Sequence, residues 1–397
     1  MKIRITVLLV VFAISSIAAQ KVTLLFAGDA MQHQSQITNA FRNGSYDYSS
    51  YFEYLQEEIS SADIAVVNLE VTLGGPPYTG YPQFSAPDEY ARALKNAGFK
   101  IFLNANNHIL DRGSKGVSRT LQILDSIHVA HTGVFRDEEE RSFTYPMIYV
   151  CKGIRFAILN YTYGTNGFVV RPPICVNYIN RKQISEDIQN ARRLGAHIII
   201  ANMHWGEEYQ MRENSTQSDI ANFMVQEGVD LIIGSHPHVV QPSKVMTDFN
   251  GIISHVIVYS LGNLISGMIA PNTDGGQIVK IVVEKKPFRP AIIKSAEYTL
   301  VFRNKVREGN KVKFSLIPVS MAEKNTANRK PIITLSHDSY QRMMNFAKNA
   351  RSIFNKYNVG VSEYKPRLST LLEENDYSKI FSEQPFIAPY FLSCISN

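Results

Sequence analysis

Cysteine, net charge and long apolar runs are all scarce in this sequence, and each scarcity narrows what the protein can be. Three cysteines among 397 residues are too few for the disulfide framework of a small secreted scaffold. The formal net charge of +6 comes without a basic run or a nucleic-acid-binding motif, so we expect no nucleic-acid partner. The mean hydropathy of -0.12 excludes a polytopic membrane protein.

The one apolar stretch of note lies at the start of the chain. Lys2 and Arg4 precede apolar residues from Ile5 through Ile14, and small residues follow up to Ala19. This order predicts a cleaved secretory signal over residues 1–19, and therefore export to the periplasm, the cell surface or the medium. An uncleaved membrane anchor is the alternative, although the run is shorter than the roughly 20 residues that a membrane span needs.

Export would allow disulfide formation, which affects how the cysteines are interpreted. Cys151 and Cys175 could form a disulfide in an oxidising compartment, and Cys394 would then be left without a disulfide partner. We favour the alternative that these cysteines are small buried apolar side chains, because nothing in their spacing indicates a disulfide framework.

After the signal, helix-like and strand-like stretches alternate. Apolar residues recur at helical spacing before Gly98, Gly195 and Gly228, and a short apolar strand follows each glycine. Such alternation predicts βαβ units and a mainly parallel sheet covered by helices.

The stretches 147–150 and 154–160 instead predict a hairpin that joins a second sheet. We therefore predict an α/β protein in which two sheets pack together between outer helices, as an α/β/β/α sandwich over residues 20–300. Residues 301–397 contain a strand-like stretch from 311 to 317 and an amphipathic helix through Met343 and Tyr357. We predict that they form an α+β extension packed on the core; a separate binding module is the alternative.

Histidines follow two of the predicted strands directly. His204 comes after the apolar run 198–203, and His236 and His238 come after the run 229–235, with Pro237 fixing the backbone between them. Open α/β sheets bind their ligands at the carboxyl ends of strands. Three imidazoles at such ends predict a metal site.

Other potential ligands also follow strands. Asp29 comes after the first strand, Glu70 after the second, and Asn107 and His108 after the third. Taken singly, Asp29 could be a turn or helix-cap residue, Glu70 a solvated strand end, and Asn107 and His108 a turn that enters a helix. Together they offer the carboxylate, amide and imidazole donors that Zn, Mn or Fe accept. The remaining histidines lack such placement, and we expect ordinary surface or core roles for His33, His128, His131, His197, His255 and His337.

These residues stand in motifs that resemble a known family, the CapA family of bacterial poly-γ-glutamate capsule synthesis proteins. Order and spacing agree from about Val22 to Ile265. The motifs that carry the resemblance are Gly28-Asp29-Ala30-Met31, Asn68-Leu69-Glu70, Asn104-Ala105-Asn106-Asn107-His108 with Asp111 and Gly113, His204-Trp205-Gly206-Glu207-Glu208-Tyr209, His236-Pro237-His238-Val239 with Gln241, and Tyr259-Ser260-Leu261-Gly262-Asn263.

That family is similar to the calcineurin-like metallophosphoesterases, which implies a two-sheet sandwich with a centre for one or two divalent metal ions. By this resemblance Glu70 is the bridging carboxylate, with Asn107, His204 and His236 completing one position. Asp29 and His238 hold the other, and His108 protonates the leaving group or stabilises charge. The phosphoesterase pattern has a histidine where this chain has Met31, and a thioether is a poor ligand for such ions. We also predict that three residues of these motifs bind substrate: Trp205, Glu207 and Asn263.

Two functions fit this resemblance. The first is an exported metal-dependent hydrolase that acts on a phosphoester or an amide of an anionic envelope polymer, poly-γ-glutamate or a related chain. The second is a non-catalytic capsule-assembly component that binds polyglutamate or a cell-wall acceptor in the same cleft. Met31 favours the second function, and the motif of Asn107 and His108 favours the first. Association with membrane capsule machinery fits both.

Overall fold

The computed structural model describes residues 19–308, 311–323 and 332–366. The predicted signal over residues 1–19 lies almost wholly outside the described residues, and so does Cys394. Within the described ranges, no helix combines the length and the apolar character needed to cross a bilayer.

Helices and strands alternate along most of the described chain, as the sequence predicts. In chain order the helices are α1 (Gln34–Ala40), α2 (Gln56–Ser60), α3 (Asp88–Asn96), α4 (Gly113–Ser126), α5 (Glu138–Thr144), α6 (Arg181–Arg193), α7 (Ser215–Gln226), α8 (Val319–Ala322) and α9 (His337–Tyr357), with a short 3-10 helix at Ser49–Tyr51. The strands are β1 (Gln20–Ala30), β2 (Phe41–Arg42), β3 (Ser45–Tyr46), β4 (Ile64–Leu69), β5 (Ile101–Leu103), β6 (Ala130–Thr132), β7 (Val134–Phe135), β8 (Met147–Cys151), β9 (Ile154–Thr162), β10 (Cys175–Val176), β11 (Ile198–His204), β12 (Leu231–Ser235), β13 (Ser243–Thr247), β14 (Ile253–Val258), β15 (Asn263–Ile265), β16 (Gly275–Lys285), β17 (Ala291–Glu308), β18 (Lys311–Pro318) and β19 (Ser362–Glu363).

The strands form two facing halves. The first half has the order β6-β5-β4-β1-β16-β17-β18, and the second has the order β13-β14-β12-β11-β9-β8. The halves are joined where β14 pairs with β17 at Ile253 and Ile293. In the first half β1, β4, β5 and β6 are parallel, and in the second β9, β11, β12 and β14 are parallel. The predicted hairpin of the second half is present as β8 and β9.

Side-chain alternation along the strands shows that the two halves pack face to face. One face of β1, including Leu24 and Phe26, shares a buried cluster with Ile200 of β11. The opposite face of β1, including Leu25, packs with residues of α3, and the opposite face of β11, including Ile199, packs with residues of α6 and α7. Since successive strand residues point to opposite faces, this is the predicted α/β/β/α sandwich, and the fold prediction is confirmed.

Glycine ends the helices that lead into the strands. Gly195 after α6 has φ of 73° and Gly228 after α7 has φ of 83°. This left-handed backbone is easily adopted by glycine alone. The helix-glycine-strand unit read from the sequence is therefore a structural unit.

The C-terminal residues pack against the first half of the sandwich. Strand β17 runs continuously across the predicted boundary at residues 300 and 301, and β18 pairs with it. Helix α9 adds Met343, Phe346 and Phe354 to the cluster between the halves. The division into a core and an extension stays a prediction.

Cys151 and Cys175 are both buried, and no disulfide joins them. Cys151 lies in the cluster between the halves, whereas Cys175 lies in the outer cluster of the second half. Their separate placement agrees with the role of small apolar side chains.

Candidate metal centre

Two buried carboxylates lie at the carboxyl ends of neighbouring strands. Asp29 pairs with Asn68 in the parallel register of β1 and β4, next to an irregularity in that register. Glu70 follows β4 directly. Both carboxylates are 0% exposed, so their charge must be balanced by nearby groups.

The three predicted histidines come from the second half of the sandwich and face these carboxylates. His204 ends β11, while His236 and His238 follow β12. His236 has φ of 101° and His238 has φ of 60°, a backbone conformation that is uncommon for residues other than glycine. The turn directs the backbone N–H of His236 to Asp29 Oδ2 at 3.3 Å.

All six predicted metal ligands meet in one place, and we call them the donor cluster: Asp29, Glu70, Asn107, His204, His236 and His238. His204 Nε2 lies 2.8 Å from Asn107 Oδ1 and 3.6 Å from Glu70 Oε1. His238 contacts Asp29 Oδ2 through Nδ1 at 3.1 Å, and its Nε2 lies 3.8 Å from Glu70 Oε1. Glu70 therefore stands between the histidines of both strands.

Two sets of three side chains in this cluster could each hold a metal ion. Asp29, Glu70 and His204 form one set, and Glu70, His236 and His238 form the other, with the ligand atoms of each set within 4.8 Å of one another. Glu70 belongs to both sets, as a bridging carboxylate would. The sets cut across the predicted division of ligands between two positions, so that division stays a prediction.

Burial and mutual contacts set the charge of these groups. Burial raises the pKa of Asp29, but the hydrogen bond and the charge of His238 outweigh it and hold that pKa below its ordinary value. Burial, reinforced by Asp29, raises the pKa of Glu70 well above its ordinary value. Burial lowers the pKa of His204, and burial together with His238 lowers that of His236 to about 3. Neutral imidazole is the form that binds metals.

Several atoms of the cluster have no hydrogen-bond partner among the described residues. They are Glu70 Oε1, His236 Nδ1 and His238 Nε2, and all three are buried. Buried polar atoms are nearly always satisfied, so such a group of unsatisfied lone pairs calls for an explanation. A divalent cation bound among them supplies one, and the donor types fit Zn, Mn or Fe.

Asn68 holds the two carboxylates in place, a role that the sequence analysis missed. Its Nδ2 donates to Asp29 Oδ1 at 2.8 Å and to Glu70 Oε2 at 3.3 Å. Asn106 Nδ2 in turn donates to Asn68 Oδ1 at 3.3 Å. An asparagine inside an apolar strand was the available signal, because a buried amide requires partners.

More asparagines lie beneath the cluster, between the two halves. Asn160 of β9 accepts from the backbone N–H of Ala105 at 2.8 Å, and its Nδ2 donates to the carbonyl of Asn202 at 3.2 Å. Asn202 of β11 donates to the carbonyl of Leu159 at 2.9 Å. These bonds tie the loop before His108 to the second half, and they fix the spacing across the site.

His108 lies beside the donor cluster and is held by Asp111. Its Nδ1 is 2.8 Å from Asp111 Oδ2, which also accepts from the backbone N–H of Phe84 at 2.7 Å. The Phe84 ring packs edge-on against the imidazole, with centroids 4.6 Å apart. An ionised carboxylate can only accept, so this contact places a proton on Nδ1 and leaves Nε2 available for chemistry.

Two tyrosines at the mouth of the site were not predicted. The Tyr163 ring lies 4.5 Å from that of His236, and burial, with Glu208 next, raises the pKa of its hydroxyl to about 12. The Tyr209 ring lies 6.4 Å from His238. Both side chains are roughly half exposed. Irregular loops carry them, so no periodic pattern could have identified them.

The three predicted substrate-binding residues have different placements. Trp205 does not reach the cleft: it is buried and donates through Nε1 to the carbonyl of Tyr259 at 2.9 Å. Because neighbouring strand residues point to opposite faces, Trp205 is directed away from the side occupied by His204. Asn263 is buried, with Oδ1 3.2 Å from His238 Nδ1, so it positions that ring. Glu207 is exposed near the mouth.

The resemblance expects a histidine at position 31, where this chain has Met31, and the next histidine in the sequence is His33. Met31 is buried in the outer cluster of the first half and faces no ligand. His33 borders the site: its ring packs against Phe84 at 5.2 Å, and its Nδ1 accepts from the N–H of Gly267 at 3.0 Å. Burial, followed by the charges of His238 and His108, lowers the pKa of His33 to about 4.

Comparison with known families gives a match over the region that builds this site. The model of the family described as "Bacterial capsule synthesis protein PGA_cap" matches residues 23–268. The matched region covers more than half of the chain and contains the whole donor cluster, His108 and Asn263.

Two relatives are similar over about three fifths of the chain. The chain is 28% identical over 269 residues to the capsule biosynthesis protein CapA of Bacillus anthracis, which covers 62% of this chain and 60% of that protein. It is 26% identical over 252 residues to the PGA biosynthesis protein CapA of Bacillus subtilis, covering 60% of this chain and 62% of that protein. The match thus spans about three fifths of each relative.

Among solved structures, the NAD nucleotidase of Haemophilus influenzae is similar with a TM-score of 0.46 and 14% sequence identity. The similarity covers 89% of this chain and 66% of the nucleotidase.

Proposed function

The chain belongs to the family of bacterial capsule synthesis proteins, and we propose that it is a metal-dependent hydrolase that cleaves a phosphoester or an amide of an anionic envelope polymer. Poly-γ-glutamate or a related chain is the polymer we propose, in keeping with the names of its relatives. The observation that carries the proposal is the group of unsatisfied buried atoms on Glu70, His236 and His238 beside His108.

The residues that would hold the metal are those of the donor cluster. Glu70 would be shared between two ions, Asn107, His204 and His236 would hold the first, and Asp29 and His238 would hold the second, which is one donor short because position 31 is Met31 and not histidine. A bound divalent cation would supply Lewis acidity, which polarises the phosphoryl or carbonyl group whose phosphorus or carbon is attacked and lowers the pKa of bound water.

His108 supplies the proton in this proposal. Asp111 accepts from Nδ1 and fixes the ring, so that in the imidazolium form Nε2 carries the second proton, donates it to the oxygen or nitrogen of the leaving group and leaves neutral imidazole. The packed Phe84 ring prevents the imidazole from turning away.

Asn107 and Tyr163 close the site on its solvent side. Asn107 Nδ2 donates to Asn166 Oδ1 at 3.1 Å, which connects the donor cluster to the loop that carries Tyr163. The Tyr163 ring covers His236 from the solvent side and limits the water that reaches the centre.

We further propose that the protein is exported. The support is the sequence of residues 1–19, with its basic start, apolar stretch and small residues. An envelope location would place the cleft where capsular polymer is handled, next to membrane capsule machinery.

The test joins metal analysis with activity measurements on the purified full chain. With added Mn or Zn, the protein should hydrolyse a chromogenic phosphodiester or a γ-glutamyl anilide. Glu70→Gln and His204→Ala should lose both metal and activity. His108→Asn should keep the metal and lose roughly 10²- to 10⁴-fold in rate, the usual contribution of a positioned proton donor.

His337→Asn is the matched control, because His337 is exposed on α9 and should behave as the unchanged protein does. Full metal occupancy without turnover of either substrate, together with no effect of His108→Asn, would reject the hydrolase.

A second candidate is a non-catalytic assembly component that holds polymer in the same cleft. The burial of Met31 away from the ligands favours it, since the second metal position then lacks a donor. In this case His204→Ala should weaken retention of poly-γ-glutamate on a column, and unchanged retention would count against the cleft as the binding site.

A further inference from the structure

Two phenylalanines project fully into solvent from hairpin turns. Phe249, in the turn between β13 and β14, is 98% exposed, and Phe288, in the turn between β16 and β17, is 103% exposed. Phenylalanine is a costly side chain to leave in water, so two fully exposed rings on neighbouring hairpins indicate a contact surface.

Both turns lie at the same end of the sandwich. Strand β14 runs parallel to β12, so the turn that precedes β14 lies at the end of the sandwich away from His236. The turn between β16 and β17 is closed by the pair of Lys285 and Ala291. Lys285, at the end of β16, pairs with Gln20 at the start of β1. The donor cluster follows the opposite ends of β1 and β12, so the turns lie at the end remote from the cleft.

Cationic side chains surround the second of these rings. Lys285 and Lys286 precede Phe288 and Arg289 follows it, and Lys286 and Arg289 are exposed. Lys21 on β1 adds no net charge to this end, because its Nζ lies 3.9 Å from a carboxylate oxygen of Glu284. Lys285, Lys286 and Arg289 supply the positive charge. Aromatic tips among lysine and arginine side chains are the composition of surfaces that lie in the interface of anionic membranes.

The start of the described chain emerges at this same end. Gln20 begins β1, and the stretch that precedes it in the sequence carries Lys2, Arg4 and the apolar residues from Ile5 through Ile14. If this stretch stayed uncleaved as a membrane anchor, the alternative to a signal, it would hold the hairpin turns next to the bilayer.

We propose that this end of the molecule, defined by Phe249, Phe288, Lys285, Lys286 and Arg289 and here called the tip surface, docks on an anionic lipid bilayer. The rings enter the headgroup region while the cations face lipid phosphates. The inference stands on the tip surface alone and does not depend on catalysis in the cleft.

An anionic polymer is the other partner that the cations would attract. We favour lipid because a hydrated polyanion offers nothing to two protruding phenylalanine rings, whereas the membrane interface accepts them. The β1 strand of 11 residues separates the tip surface from Asp29 and Glu70 by roughly 35 Å, at about 3.3 Å per residue. Docking in this orientation points the cleft away from the bilayer.

Tryptophan placed at each tip would report on docking in the full-length protein. The native Trp205 is buried at 2% exposure and gives a constant background. With vesicles of phosphatidylglycerol and brominated phosphatidylcholine, Phe249→Trp and Phe288→Trp should shift to shorter wavelength. Each should lose roughly half of the added emission, since interfacial side chains sit about 5 to 10 Å into the bilayer.

Phe143→Trp is the matched control, because Phe143 is 81% exposed on α5, away from the tip surface. It should show neither the shift nor the quenching, whatever residues 1–18 contribute to vesicle binding. Combining Lys285→Glu, Lys286→Glu and Arg289→Glu in the Phe288→Trp protein should abolish the quenching.

Three results would overturn the proposal. The first is an absence of quenching at both tips, and the second is equal quenching at Phe143→Trp. The third is a response of the tip tryptophans to soluble poly-γ-glutamate but not to vesicles, which would assign the surface to polymer instead.

Discussion

Asp230 and Glu70 lie at opposite ends of the sandwich, and in each the pKa of the carboxyl group is changed by burial. Glu70 follows β4 among the histidines, whereas Asp230 precedes β12 and accepts from the backbone N–H of Ile199 at 2.7 Å. Burial raises the pKa of both, and that of Asp230 reaches about 6. At Glu70 the cost of the charge can be offset by a bound cation, but Asp230 has only partial compensation from its backbone bond, His255 and Arg192.

Replacement of Asp230 should therefore change the pH dependence of stability. Because the folded pKa of about 6 lies above the ordinary value of 3.8, its contribution is fully present below pH 3.8 and is lost as pH rises through 6. Asp230→Asn keeps an acceptor for Ile199 and removes the charge. The variant should match the parent near pH 4 and exceed it by about 3 kcal/mol at pH 7, measured by urea unfolding.

Asp219→Asn is the control for this comparison, since the Asp219 side chain is 67% exposed and should leave the pH profile unchanged. A difference between Asp230→Asn and the parent that is the same at pH 4 and pH 7 would contradict the prediction.

In and beside the donor cluster, some side chains hold others in position through hydrogen bonds. Asn68 donates to both Asp29 and Glu70, and Asp111 orients His108. The sequence identified the groups that can bind a metal by their chemistry, but not the amides that orient them, because an asparagine in a strand has many possible partners.

At the scale of elements, strand β12 packs closely against Tyr259 and Trp205, and this packing positions His236 and His238. Gly234 lies near the end of β12, where a Cβ atom would lie 1.9 Å from the carbonyl oxygen of Tyr259 and 2.6 Å from Trp205 Nε1. Only a residue without a side chain allows this approach.

Gly234→Ala should displace the end of β12. Since the clash is with backbone, we expect a loss of about 3 kcal/mol in the free energy of unfolding, at the upper end of the usual cost of overpacking. Metal affinity should fall as well, because His236 follows two residues later. Denaturant unfolding and metal titration measure the two effects.

Gly164→Ala provides the matched substitution, because a Cβ at Gly164 meets nothing within 4 Å. It should change stability by less than about 1 kcal/mol. Equal losses for the two alanine variants would mean that the contact of Gly234 with Tyr259 is not what matters.

Strand geometry also explains why Trp205 does not reach the cleft. A motif places His204 and Trp205 side by side in sequence, but an extended strand sends them to opposite faces. Helix, glycine and strand units were predictable because each follows from local periodicity and from the backbone freedom of glycine.

At the scale of the whole molecule, the C-terminal helix α9 joins the core between the two halves. Phe354 is 2% exposed and packs edge-on against Tyr298 of β17, with ring centroids 4.7 Å apart. Arg351 of α9 pairs with Glu323 and with Glu363, which holds the C-terminal segments together.

Phe354→Ala should therefore destabilise the entire protein. We expect a loss of about 3 to 5 kcal/mol, the usual cost of removing a buried phenylalanine. Far-ultraviolet circular dichroism and Trp205 fluorescence should report the same shifted unfolding transition, although Trp205 lies in the outer cluster of the second half.

Lys348→Ala is the control on the exposed side of the same helix and should leave the transition in place. If Phe354→Ala shifted the dichroism transition while the Trp205 transition stayed where it was, the extension would be an independent module.

The sequence by itself determined the α/β class, the family and the six side chains that meet in the donor cluster, because periodicity is local and parallel strands bring their carboxyl ends to one edge. Only the tertiary structure decided which groups surround those ligands. The bonds of Asn68 and Asn160, the placement of Tyr163 and the burial of Met31 depend on contacts between segments far apart in the chain. Those contacts are set by packing across the two halves, on which a local pattern carries no information.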